Sequence, residues 1–258
     1  MTKKSPVKML TAVVVALAVV LAGMVALFVL LPHAAMENEI APGSLVRFGP
    51  YTWIVLDMQE DRMLLLSEHI IALRAFYESN WEDNPWDRQD WDRWEADGVT
   101  WETSSMRTWL NTEFLDQFDQ SRVLQTAVVN HANSVHATGG GAITQDHVFL
   151  LSLDEVLRYF GDSGQQSNRW GEIWDRYNRA RRAYIHDFTV VERGWGWTFD
   201  ENADRLPMEI AWWLRTLGIG ERSVAFVAQR GYIRVDGVYA LDADWVGVRP
   251  AMWVSVEE

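Results

Sequence analysis

Trp86, Trp91 and Trp94 stand among Asp83, Asp87, Asp90, Asp92 and Asp97 in a stretch with no helical or strand period. Both residue types can do chemistry there. An exposed indole offers a flat apolar face that stacks on a sugar ring or anchors a protein contact. Large aromatics are also drawn into cores, and for these three both placements stay open. The carboxylates of Asp87, Asp90 and Asp92 are hard oxygen ligands of the kind calcium takes. Their spacing is not that of an EF-hand, and a solvated acidic loop is the plainer reading.

The residue types exclude several other chemistries. The chain has no cysteine, so thiol catalysis and disulfides are out of reach. Its lysines are Lys3, Lys4 and Lys8, which leaves no Schiff-base or phosphate-loop lysine in the rest of the chain. "GDSGQ", at 161–165, has the look of a serine-nucleophile loop. No partner histidine motif precedes it, and a turn after a helix accounts for it. His131 and His136 are five positions apart, which misses the one-turn spacing of a helical zinc pair. Acids are too numerous to single out a pair for glycoside cleavage.

The elements that must position these residues begin with an apolar span. From Met9 to Leu31 there is no charge, and only Thr11 and Gly23 interrupt the run. As a helix it would extend about 34 Å at roughly 1.5 Å per residue, enough for a hydrocarbon core of about 30 Å. All three lysines precede it, and basic flanks stay in the cytoplasm. The expected layout is a cytoplasmic tail at 1–8, a transmembrane signal anchor at 9–32, a linker at 33–43 and an extracytoplasmic domain at 44–258. Cleavage after "HAA" is the alternative. All 36 acidic residues follow the span, against 20 arginines, so that part carries a formal charge of −16. Nucleic acid is therefore not an expected partner. Solubility, a divalent cation or a basic partner all fit that charge.

Local patterns fill in the domain. "LVRFGPYTWIVLD" reads as two strands broken at Gly49-Pro50, and "RMLLLS" as a strand covered on both faces. "EHIIALRAFY" reads as a short helix. Ser104 or Ser105 can cap a helix whose Met106, Trp109, Leu110, Phe114 and Phe118 share one face. A strand from Val148 precedes a helix capped by Asp154, Asp236-Gly237 suits a hairpin turn, and Pro250 suggests a bulge or an edge in the last strand. Short strands, few long helices and large loops predict an α+β domain, with no internal repeat.

"TWETSSMRTWLNTEF", "DHVFLLSLDEVLRYF", "WWLRTLG" and "VGVRPAMWV" together resemble a bacterial family known only as a domain of unknown function. The resemblance covers roughly Gly43 to Val256, with Met106 where the family's pattern has leucine. The last two stretches are also similar to the C-type-lectin-like fold of formylglycine-generating enzymes. That implies a C-type-lectin-like α+β domain with small antiparallel sheets, whose ends meet in one sheet and whose long loops build a binding face. The cysteines a formylglycine-generating activity requires are absent, so only the fold would carry over. Glu102, Arg107, Trp109, Trp212, Trp213, Arg215, Arg249 and Trp253 lie in these motifs and read as structural. Trp101, Trp109, Trp212, Trp213 and Trp253 should be core. An arginine held among aromatics needs a carboxylate, and Glu102 is a candidate.

The expectation is a non-enzymatic, membrane-anchored binding module taking a glycan or protein surface outside the cytoplasm, with calcium as a candidate cofactor. Two alternatives stay open: a carboxylate-based hydrolase of cell-envelope glycans, and a purely structural envelope protein.

Overall fold

A computed structural model describes residues 40–78, 98–162, 176–185, 208–240 and 245–256. The chain divides into two compact units between Ile40 and Ala41, and the elements below belong to the second. Among the described residues no helix is long and apolar enough to cross a membrane; the apolar span at 9–32 lies outside them.

The chain enters on β1 (Leu45–Phe48), turns at Gly49, and returns on β2 (Tyr51–Gln59) and β3 (Arg62–Ser67). Gly49 takes a φ of +56°, and a Cβ there would meet the Phe118 ring at 2.6 Å, so a residue without a side chain is required. "RMLLLS" is buried at every position after Arg62, as a strand covered on both faces must be. The segment after it is not a helix. Ile70, Ile71, Ala72 and Leu73 are all buried, whereas a short surface helix would bury only a stripe. The backbone N–H of Ile70 donates to Tyr184 O and that of Ile71 to Val248 O, leaving β4 (Ala72–Leu73) as a two-residue strand.

After Gly98 the chain forms α1 (Ser105–Trp109), capped by Ser104, whose Oγ accepts from the Arg107 N–H. The helix widens into a π turn over Leu110–Phe114 and tightens into a 3-10 turn over Leu115–Gln117. Met106, Trp109, Leu110, Phe114 and Phe118 are all buried, so the expected apolar face exists, with an irregular backbone beneath it. β5 (Val123–Leu124), β6 (Thr126–Val128), β7 (Thr144–Asp146) and β8 (Val148–Leu150) follow. Then comes α2 (Leu153–Phe160), started by Ser152 rather than Asp154. Ser152 and Glu155 form a reciprocal capping box there, a stronger cap than a lone aspartate because two backbone donors are satisfied at once.

α3 (Arg176–Arg181), β9 (Tyr184–Ile185) and β10 (Met208–Glu209) lead to β11 (Ala211–Leu217), buried at all seven positions. β12 (Ser223–Val227) and β13 (Ile233–Tyr239) pair antiparallel beside it. The turn between them lies at Gln229–Gly231, where Arg230 and Gly231 have positive φ. Asp236-Gly237 is therefore not a turn. It forms a bulge inside β13, where pairing jumps from Arg234 opposite Phe226 to Val238 opposite Val224.

Finally β14 (Val246–Val248) and β15 (Pro250–Ser255) are successive strands in different sheets. One sheet runs β1-β2-β3-β15-β5, with β8 also on β15; the other runs β13-β12-β11-β14-β4. β15 is interior, not an edge, because β3 pairs on one side and β5 and β8 on the other. Pro250 is tolerated as the first residue of that strand. The β11–β14 pair is parallel, and the neighbouring pairs in both sheets are antiparallel. The domain is thus α+β, sheet-rich with a few short helices.

Glycine sites test the backbone directly. Gly231 has a φ of +82°, and a Cβ there would fall 1.8 Å from Asn178 O, whereas Gly139 has open space around it. Gly231→Ala should lower unfolding stability by about 1–3 kcal/mol in urea titration. Gly139→Ala should leave the midpoint nearly unchanged.

Candidate functional site

The three motif arginines stand in three different settings, and the contrast between them defines the site. Arg107, on α1, donates from Nε to Asp146 Oδ1 at 2.6 Å. The Asp146 side chain is fully buried; it also accepts from Trp101 Nε1 at 2.8 Å and Thr144 Oγ1 at 2.6 Å. Glu102 gives Arg107 only a backbone carbonyl, at 3.4 Å. The expected Glu102 pairing is thus replaced by one to a residue 39 positions away. The reason is burial: Glu102 is exposed, while Asp146 lies inside and needs donors to offset its desolvation. Asn111 completes this corner, donating to Val148 O at 2.8 Å and accepting from the backbone of His147 and Val148.

Arg215 lies in the fully buried β11 and grips Glu155 with both terminal nitrogens, NH2 to Oε1 at 3.0 Å and NH1 to Oε2. It also donates to Leu150 O and Val129 O and sits over the Phe149 ring. This bidentate geometry is the arrangement in which arginine binds a carboxylate best. Burial pushes the Glu155 carboxyl up, but the Arg215 charge and the Ser152 hydrogen bonds outweigh it and hold the group below the ordinary glutamate value.

Arg249 differs. It is 2% exposed and sits between β14 and β15, its guanidinium over the Trp212 ring at 5.1 Å and the Phe160 ring at 5.8 Å. Nε donates to Ser67 O at 2.9 Å, while NH1 and the Ser67 hydroxyl have no hydrogen-bond partner among the described residues. Glu68, the acid that acts on it through space, has a carboxylate oxygen 3.5 Å from His69 Nε2. Burial pushes the guanidinium down to about 10 against the favourable influence of Glu68, so it remains a cation at neutral pH. A buried, unsatisfied donor of this kind costs about 1–3 kcal/mol, more when charged.

The motif tryptophans hold these groups. Trp212 and Trp213 are fully buried on β11 and, as neighbours on a strand, point to opposite faces. Trp212 Nε1 donates to Arg181 O and Trp213 Nε1 to Arg74 O, both at 2.9 Å. Trp101 and Trp109 are buried as well. Trp253 is not core: it is half-buried on β15, and the Arg62 guanidinium covers it at 4.6 Å. An alternating strand packs one face more deeply than the other, and Trp253 falls on the shallower one.

The candidate ligand residues Trp86, Trp91 and Trp94 and the candidate calcium residues Asp87, Asp90 and Asp92 lie outside the described residues. The described chain on either side is held firmly. The Glu78 N–H donates to Ser105 Oγ at 2.6 Å, and the Val99 N–H donates to Glu221 O at 2.9 Å. Among the described residues no group of three or more histidine and acidic side chains is arranged to hold a metal ion.

With the scaffold in place, comparison supplies its family. The profile of a family described as a domain of unknown function (DUF6273) matches residues 60–256. The chain belongs to that family. The match takes in β3 through β15 and all three motif arginines. Comparisons with curated proteins and with solved structures found no match.

Sequence reading missed the acids that complete the pairs. Glu155 carried a usable signal, the S-x-x-E spacing of a capping box. Asp146 opens the "DHVFLLSLDEVLRYF" motif, but nothing in that motif tied it to Arg107, and Asn133 carried no signal. Asn133 is fully buried and donates to Leu217 O and Val235 O at 2.8 Å, contacts that only the assembled fold brings together.

Glu155 makes the pH behaviour testable. Its folded pKa is depressed, so its contribution is complete above the unfolded value and is lost as pH falls through the folded one. Glu155→Gln should cost about 1–3 kcal/mol at pH 7 and flatten the fall in urea midpoint below about pH 4.5.

Proposed function

We propose that this chain is a membrane-anchored binding module whose domain lies outside the cytoplasm and takes a glycan or protein ligand at the cell surface. The observation that carries the reading is where the Trp/Asp segment sits in the chain. Residues 79–97 join two points fixed to the core, Glu78 through Ser105 and Val99 through Glu221, and Phe76 and Val99 on either side are fully buried. Recognition residues are commonly carried in the chain between two points fixed to a scaffold, and this stretch is dense in indoles and carboxylates.

The anchor rests on the uncharged apolar run and the three lysines before it. The finer fold assignment in this reading is C-type-lectin-like. It is supported by the six-stranded sheet, in which early strands β1, β2 and β3 meet the late strand β15. Trp86, Trp91 and Trp94 would contact ligand, and Asp87, Asp90 and Asp92 are the oxygen ligands a calcium ion would use.

Topology and binding are separately testable. Protease added to intact cells should degrade a carboxy-terminally tagged chain; full protection until the membrane is opened would refute the outward orientation. On a glycan array and in pull-downs with purified envelope fractions, the triple alanine variant at Trp86, Trp91 and Trp94 should lose at least about tenfold in affinity, the loss of a stacking anchor. Binding equal to wild type would remove these residues from the site. Calcium titration calorimetry should give a binding isotherm that disappears when Asp87, Asp90 and Asp92 are changed to asparagine.

A further inference from the structure

The chain beyond the apolar span carries a formal charge of −16, and one corner of the domain reverses that sign. Gly231, in the turn from β12 to β13, packs on α3: a Cβ there would lie 1.8 Å from Asn178 O and 2.7 Å from Asn178 C. That contact brings together the backbones of Arg230 and Arg179, the residues next to Gly231 and Asn178, and both arginines are exposed. Glu209 ties Arg182 into the same corner. One of its oxygens accepts from Arg182 NH1 at 3.0 Å and the other from the Arg230 N–H at 3.3 Å. Arg181 lies buried beneath, donating to Gly231 O, Gly161 O and Asn178 Oδ1. Four arginines thus stand against Glu209 and, at the margin, Asp162, which follows Gly161.

Arg230 is held there at a cost. The Gly231 N–H donates to Ala228 O at 2.9 Å, closing a four-residue turn whose third residue, Arg230, has a φ of +64°. Glycine or asparagine suits that position, and an arginine in it is strained. Among the described residues no carboxylate pairs with the Arg230 or Arg179 guanidinium. Neither charge is matched by an acid of the domain, so both are available to an anionic partner.

The opposite end of the same two strands bears on which partner that is. The Tyr77 N–H donates to Ala240 O at 3.0 Å and the Val99 N–H to Glu221 O at 2.9 Å. The Trp/Asp segment therefore leaves and rejoins the scaffold at the far end of β12 and β13, roughly 20 Å of strand from the arginine turn. A domain that offers that segment to the surroundings turns the arginine corner the other way, toward the bilayer. The expected linker at 33–43 reaches at most roughly 36 Å, which keeps the domain close to the headgroups. Tethering of this kind raises the effective concentration of the surface, so a few weak contacts suffice. An acidic domain is repelled by anionic lipid over most of its surface, and a cluster of arginines is where attraction prevails.

We propose that Arg179, Arg182 and Arg230 rest on the anionic phospholipid headgroups of the membrane that holds the chain, and that this contact turns the far end of β12 and β13 outward. The inference rests on the membrane-anchored reading and adds to it an orientation of the domain.

The absence of cysteine permits single labels in the full chain. Gln229→Cys and Ile219→Cys place a dye at exposed positions at the two ends of β12, and each labelled chain is reconstituted in lipid nanodiscs containing an acceptor-labelled lipid. In discs rich in phosphatidylglycerol, energy transfer should be stronger from position 229 than from 219. The difference should vanish in pure phosphatidylcholine and shrink in high salt. Arg179→Ala and Arg230→Gly should each lower the lipid-facing population about fivefold, the weight of one arginine at an anionic surface. Arg230→Gly should leave the melting temperature unchanged or raise it, because it relieves the turn; a merely structural arginine would not separate the two readouts. A chain lost from phosphatidylcholine discs would remove the anchor, and this contact with it. A chain retained there, with equal transfer from both labels in either lipid, would overturn the lipid contact alone, in favour of an acidic protein partner.

Discussion

The structure depends on one antiparallel ribbon that belongs to both sheets. Its outer half pairs β3 with β15, Arg62 to Leu66 against Ser255 to Ala251, and its inner half pairs β4 with β14. Between the halves, the five residues Ser67–Ile71 on one strand face the two residues Arg249 and Pro250 on the other. Such an imbalance forces a bend, and the bend carries both strands from the six-stranded sheet into the five-stranded one. Each sheet gains its remaining strands by adding to this ribbon. A single core cluster results among the described residues, from Trp53 on β2 to Val227 on β12.

Polar groups trapped by that closure are handled in two ways. Asp146 and Glu155 lie against Arg107 and Arg215, and the contacts in those corners carry hydrogen bonds or an aromatic face. Arg249, at the inside of the bend, is stacked but incompletely bonded. The difference is one of position. Arg107 and Arg215 project where the end of β7 and the first turn of α2 bring acids within reach, while the bend presents a backbone carbonyl and a serine. Buried ion pairs add little net stability, yet breaking one is costly, so the two paired corners act mainly by penalising alternative registers of β7 and β11.

Much of the scaffold was legible in residue order because local pattern and burial agreed. "RMLLLS" and the turn at Gly49-Pro50 form as their composition implies, and Met106, Trp109, Leu110, Phe114 and Phe118 share a buried face even though the helix beneath them changes pitch. The failures occur where tertiary contacts outrank local preference. Ile70–Leu73 look helical, but Ile70 and Ile71 bond Tyr184 and Val248 and Ala72–Leu73 pair as strand. Asp236-Gly237 has turn chemistry, yet β12 runs past it and converts it into a bulge. Partners 39 and 60 positions apart, such as Arg107 with Asp146 and Arg215 with Glu155, leave no trace in spacing. The arginines themselves were identifiable from their motifs, but which acid each would meet was not.

The placement of β15 has a bearing on biosynthesis. This strand follows β3, β5 and β8 in chain order, yet it is the interior member on which all three pair. Until residue 255 has emerged, those three strands present open edges, and edges of that kind invite aggregation. The domain therefore cannot mature progressively from its amino end. A growing polypeptide of this design must have those edges shielded from self-association until β15 has been made.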